Sequence, residues 1–230
     1  MFRYAYWLFG FLGLMVISAS FIMGFRYAPD APLSNLWINV ALYLAFAAVH
    51  IGMTMPAVKQ ALFGNPAGTP TERRIYIAIS VVTWVGLYWL HKPVGGFGYE
   101  KSPAWLQYIG LCAVLLAIVS FFEFATFETL ESLLGVPGAP LAYSVGSETP
   151  LLTTGAYAQV RHPMYRAAFF LAFASLLVYP NAGQLLFACL VSGSFIAFIP
   201  FEEHQLLSAR GDEYRAYMAR TPYRLIRGIW

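Results

Sequence analysis

Thr153-Thr154-Gly155-Ala156-Tyr157-Ala158-Gln159-Val160-Arg161-His162-Pro163-Met164-Tyr165 lies in the longest polar interval of a very apolar chain and leads directly into another apolar run. Gly155 permits a sharp backbone path, and Pro163 suits the first turn of a helix, where its missing N–H has no partner to lose. Arg161, His162 and Tyr165 are then expected at the mouth of a membrane helix, at the membrane–water boundary. Adjacent arginine and histidine side chains at that depth can hold an anionic group. They can equally serve as a positive-inside anchor and a helix-start residue, so the stretch alone leaves both readings open.

Composition narrows the class. Of 230 residues, 59% are hydrophobic and 11% charged, and mean hydropathy is +0.61. A soluble domain carries roughly 25% charged residues. Several runs approach the ~20 apolar residues that cross a bilayer. The expected fold is therefore all-α, a polytopic membrane helical bundle forming one domain over 1–230, with N-terminal helices in 1–124 and a motif region in 150–222. A net charge of +3 gives no footprint for nucleic acid. Cys112 and Cys189 sit inside apolar runs, so neither a disulfide nor a metal site is expected.

Six membrane helices are expected at about 4–25, 36–55, 75–90, 105–124, 164–179 and 183–201. The first is read as an uncleaved span rather than a signal peptide, because its apolar run is long enough to cross. With both termini cytoplasmic, the inner side holds Arg3, Lys59, Arg73, Arg74, Arg161, Arg166, Arg210, Arg215, Arg220, Arg224 and Arg227. The outer side holds Arg26, Lys92 and Lys101. Eleven against three, from 14 basic residues in all, fixes the orientation.

Between these spans the polar residues are few. Thr71 is a candidate cap for the third helix. His50, near the end of the second, either lines a cavity or is a hydrogen-bonded structural residue. Glu123, Glu128 and Glu131 interrupt 121–134, and Glu123 follows four turns of apolar sequence, where a charge tends to face a cavity. Phe121, Phe122, Phe124 and Phe127 beside it can wall a compact apolar space or simply pack.

The fifth and sixth helices are joined by Tyr179-Pro180-Asn181-Ala182-Gly183, a short uncharged turn, and so form an antiparallel hairpin. At 1.5 Å per residue they rise about 24 and about 28 Å, which brings their far ends to one level. One end carries Arg161, His162 and Tyr165, and the other carries Glu202 and Glu203. Beyond Glu203, Leu206, Leu207, Tyr214, Tyr217 and Met218 recur at helical spacing, as in an interfacial amphipathic helix, with a break at Gly211-Asp212. Such a tail can lie over the cluster as a lid.

Taken together, Gly155-x-Tyr157-x-x-x-Arg161-His162-Pro163-x-Tyr165, Glu202-Glu203-x-x-Leu206 and Gly211-x-Glu213-Tyr214-x-x-Tyr217 resemble the C-terminal half of the isoprenylcysteine carboxyl methyltransferase-like membrane methyltransferases. The pattern covers about 153–222. Glu72-Arg73-Arg74-x-Tyr76 ahead of a helix looks more like the NnrU-like and methanethiol S-methyltransferase branch, and no prenyl-binding segment is recognisable. The resemblance implies S-adenosyl-L-methionine as methyl donor, held by Gly155, Tyr157, Arg161, His162, Pro163, Tyr165, Glu202 and Glu203. These residue types suit a donor that carries a carboxylate, an ammonium, a ribose diol, an adenine and a sulfonium.

The acceptor implied is a small or lipid-like molecule from the membrane. A thiol must be deprotonated, which Arg161 or Arg166 would favour; an amine would want a base such as Glu123 or His50. A small or lipophilic thiol is the favoured acceptor, with an isoprenylcysteine carboxylate or a phospholipid amine as alternatives. Outside the methyltransferases, a nicotinamide-dependent sterol-type reductase and a non-catalytic membrane protein share parts of the pattern. The reductases are expected to carry Asn where Met164 stands, and a larger helical body.

Overall fold

The computed structural model describes residues 2–65, 69–122, 131, 134, 136 and 151–230. Among these residues the chain is all-helical, with eight α-helices: α1 Phe2–Met23, α2 Ser34–Gly52, α3 Pro56–Phe63, α4 Pro70–Leu90, α5 Ala104–Phe122, α6 Pro163–Ala174, α7 Ala182–Arg210 and α8 Asp212–Arg220. The six apolar runs expected from sequence all fall on helices. A 3-10 turn, Ser175–Leu177, continues α6 and shortens its α-helical part.

Helix boundaries follow local chemistry. Met55 precedes Pro56 in an extended conformation, and Gly64 closes α3 in the left-handed region with φ 68°. This helix, between the second and third expected spans, has only eight residues, too few turns for its period to be read from sequence. Thr69, not Thr71, caps α4: its hydroxyl accepts from the Glu72 N–H at 3.0 Å. The cause is Pro70, whose fixed φ suits the first helical position and starts the helix two residues earlier than a Thr71 cap would. Asn181 caps α7 by accepting from the Gln184 N–H.

A second departure concerns the tail. No separate interfacial helix begins after Glu203; α7 runs unbroken through Pro200 to Arg210 and ends only at Gly211, with φ 52° and ψ −118°. Proline forfeits one backbone bond within a helix, and the surrounding turns carry it through. The expected break at Gly211-Asp212 is present, and α8 starts there.

Helix α6 packs between α5 and α7, α4 packs on α1 and α2, and α7 also reaches α2. The core centres on Phe187, fully buried, against the rings of Phe21, Phe25, Tyr43 and Trp84. Trp84 Nε1–H donates to Ser20 Oγ at 3.0 Å, so the one polar atom of that indole is satisfied inside the core. At one end of the bundle the loop after α4 is pinned by single β-bridges, Tyr27 with Val94 and Gly98 with Asn181.

Helices α2 and α7 are long and apolar enough to cross a membrane. Shorter apolar stretches occupy Leu8–Phe21, Ala104–Ser120 and Pro163–Leu177. Trp37, Leu44, Val82, Leu115 and Leu116 each leave more than half of their surface exposed. Apolar residues spread over several helix faces in this way need an apolar medium against them, which is consistent with a membrane protein.

Candidate functional site

At the other end of the bundle, the polar stretch around Gly155 forms a short 3-10 turn, Gly155–Ala158, that Gly155 enters with φ 60°. The chain then extends through Arg161 and His162 before Pro163 opens α6. Those two extended residues are not left bare. The Arg161 N–H donates to the Tyr223 carbonyl and the His162 N–H to the Arg224 carbonyl, both at 2.9 Å. The C-terminal segment is thereby zipped onto the start of α6.

Side chains reinforce the zipper. Arg161 is buried; its Nε–H donates to Glu203 Oε1 at 2.6 Å, and its Nη1 donates to the carbonyls of Thr221 and Pro222 at 2.8 and 2.7 Å. His162 Nε2 stands 3.2 Å from the same Glu203 oxygen, and Arg224 Nε–H donates to Oε2 at 2.9 Å. Glu203 therefore has both oxygens occupied by cations or an imidazole, which is what a carboxylate with 3% exposure requires. Arg224 in turn lies over the Trp230 ring, 5.2 Å from its centroid.

Glu202 differs from its neighbour. Its Oε2 is buried with no geometrically satisfied hydrogen bond, and His162 Nδ1 stands at 3.6 Å, too long for one. Glu202 lines a cavity of about 210 Å³ which also meets Arg73, Tyr157, Tyr165, Arg210 and Tyr214. Lys59, on the same wall, is 3.8 Å from the buried carboxylate of Glu72. Burial lowers the Lys59 pKa, an effect that Glu72 partly offsets. Helix α8 supplies Tyr214 and Tyr217, both buried, and burial raises the pKa of each phenol. Tyr217 fastens the helix in place by donating to the Tyr157 carbonyl at 2.9 Å. The tail does cover the cluster.

A second cavity, about 260 Å³ and almost wholly apolar, lies deeper between α1, α2, α4, α5, α6 and α7. His50, Thr54, Tyr76, Tyr165 and Phe198 line both spaces and form the wall between them. In that wall His50 Nε2 is 2.7 Å from the Tyr76 hydroxyl and Nδ1 is 2.9 Å from Ser80 Oγ. The Arg73 guanidinium sits over the Tyr76 ring at 5.1 Å. His162, Tyr165 and Phe195 continue as a stack, with centroids 5.5 and 4.7 Å apart.

Of the residues singled out from sequence, Tyr157, Arg161, His162, Pro163, Tyr165, Glu202 and His50 line the polar cavity. Glu203 stands behind it as the anchor of the charge network, and Gly155 shapes the turn leading to it. Arg166 donates to Gln159 Oε1 at 3.2 Å on the exposed side, away from the lining. Glu131 is buried, whereas Glu123, Glu128, Phe124 and Phe127 lie outside the described residues. Lys59 and Arg210 join the site unannounced, because a basic residue beside an apolar run reads first as a topology signal; Arg73 and Tyr76 stood in the Glu72-Arg73-Arg74-x-Tyr76 pattern without a site role. Tyr214 and Tyr217 had a legible cue in the apolar face of the tail.

A family model described as NnrU protein matches residues 38–227. Methanethiol S-methyltransferase of Mycobacterium tuberculosis is 30% identical over 218 residues, covering 90% of this chain and 84% of that protein. Methanethiol S-methyltransferase 1 of Bradyrhizobium diazoefficiens is 29% identical over 194 residues, covering 80% of this chain and 64% of that protein, just under two thirds of its length. No solved structure matches the chain.

Proposed function

The chain belongs to the NnrU family, and from that premise we propose that it is an integral membrane methyltransferase that uses S-adenosylmethionine to methylate a thiol. The observation that carries this reading is the pairing of two cavities across one wall, a charged one against the tail and an apolar one inside the bundle. A charged donor and an apolar acceptor need separate compartments that meet at one place. The names of both relatives, similar over most of this chain, support a thiol acceptor.

The residues present fit the donor. Glu202, on the lining of the polar cavity, offers a carboxylate to an ammonium group or a ribose diol. Arg73, Lys59 and Arg210 supply positive charge for a carboxylate on the same lining. Tyr165 and Tyr214 offer aromatic faces to an adenine or a sulfonium. When bound, the donor brings a methyl group on a positively charged sulfur, which needs only a nucleophile aligned behind it.

The chain's own residues would supply that alignment. Holding the acceptor sulfur against the wall removes the cost of bringing two reactants together, on the order of 7 kcal/mol or more when orientation is ideal. Arg73 beside Tyr76 favours the thiolate there. His50, hydrogen-bonded to Tyr76 and Ser80, takes the thiol proton and holds it as an imidazolium while the methyl group passes to sulfur. Arg161 holds Glu203 and the tail rather than touching reactants. Six spans with both termini in the cytoplasm complete the reading, with the donor entering from the aqueous side.

The test uses the full chain in detergent. S-adenosylhomocysteine should raise its melting temperature, and labelled donor should pass its methyl group to methanethiol. Stabilisation by reduced nicotinamide cofactor instead, or by neither, would overturn the assignment.

A further inference from the structure

The apolar cavity holds more than a one-carbon thiol can use. At roughly 30 Å³ for each water-sized group, 260 Å³ accommodates about nine groups of methylene size. Methanethiol has two heavy atoms and would leave most of that lining without partners, forfeiting the dispersion contacts a filled site makes. Along α4 the lining runs from Tyr76 to Trp84, about 12 Å at 1.5 Å per residue. It begins at the shared wall of His50 and Tyr76, passes Ala47 and Ala168, and reaches Phe21 and Trp84 at the core.

From this we infer that the apolar cavity is the binding site for the tail of the methyl acceptor, and that the preferred acceptor is a lipophilic thiol with an unbranched tail of about eight carbons. The inference rests on the thiol methyltransferase reading above and sharpens its substrate class. The tail lies along α2 and α6, and the sulfur stops at the wall, where His50 and Arg73 stand and the donor cavity begins. An ordinary bilayer acyl chain would fit the same lining but carries no sulfur for the wall to receive.

The experiment is a chain-length series: full-length protein in detergent, labelled S-adenosylmethionine, and straight-chain alkanethiols of one to twelve carbons. Burial of each methylene should raise kcat/KM roughly fourfold until about eight carbons, after which the gain stops. Ala47→Leu and Ala168→Leu each fill part of the cavity and should bring that limit down by two to three carbons. Retained stabilisation by S-adenosylhomocysteine shows that each variant is folded. A series that is flat or falls with length, while methanethiol is still methylated, overturns this inference alone. A rise that both variants leave unchanged overturns it too, since the length effect then comes from partitioning into detergent or lipid. Transfer to no thiol of any length overturns both this inference and the function it rests on.

Discussion

Arg161 Nε–H donates to Glu203 Oε1 at 2.6 Å, joining residues 42 apart in sequence and both nearly out of contact with solvent. Removing one partner leaves the other charge buried and uncompensated, which costs on the order of 3–5 kcal/mol. Glu203→Ala should lower the unfolding midpoint steeply in a thermal melt, and Arg161→Ala should do the same. Pairing Arg161→Met with Glu203→Leu should recover part of the loss, because neither charge is then stranded.

Glu202 should behave in the opposite way. Glu202→Gln keeps the side chain's shape and an acceptor for the Tyr165 hydroxyl, so it should leave the melting temperature within about 1 °C, as for a change worth a few tenths of a kcal/mol. Affinity for S-adenosylhomocysteine should fall at least tenfold by calorimetry, since a charge-assisted contact is lost. Unchanged affinity would remove Glu202 from the donor site.

Tyr76 and His50 lie in the wall between the cavities, and their pairing at 2.7 Å predicts a split between steps. Tyr76→Phe and His50→Phe should each lower kcat for thiol methylation by tenfold or more, with donor affinity changed by less than threefold. Equal losses in donor binding would show the pair to be a packing element.

Gly211 connects α7 to α8 with φ 52° and ψ −118°, a region that residues with a side chain avoid, although a Cβ there would meet nothing within 4 Å. Gly211→Ala should therefore destabilise through the backbone alone, by about 1–3 kcal/mol. Limited proteolysis should then cut between α7 and α8 faster than in the parent protein.

Reporter fusions after Pro29, Gly96 and Trp230 test the six-span arrangement. The first two should report the outer side and the third the cytoplasm. A cytoplasmic signal at Gly96 would break it.

Much of this was readable from sequence, for identifiable reasons. The uncharged turn at 179–183 forces the hairpin, and the similar expected rises, about 24 and about 28 Å, then bring Arg161 and His162 to Glu202 and Glu203. Pattern and length suffice for that step. What they do not carry is the division of labour between the two glutamates, which depends on Arg224 returning from the end of the chain to occupy Glu203. Spacing likewise says nothing of which helix face Tyr76 presents to His50, since 26 residues and a loop separate them. Thr69 displaced Thr71 as a cap because Pro70 fixes the first helical residue, a cue present in the sequence and outweighed by proximity to the apolar run.

The backbone pairing of Arg161 and His162 with Tyr223 and Arg224 also orders events in time. A ribosome makes the chain from its first residue, so the hairpin bearing Arg161 and Glu203 can assemble before residues 221–224 have been added. Until they arrive, Glu203 lacks one of its cations and the residues before α6 have open N–H groups. A chain stopped between Arg220 and Tyr223 would carry its apolar helices but an unfinished pocket. Residues 221–224 are thus the stretch that completes the pocket, late in a chain whose apolar helices are already made.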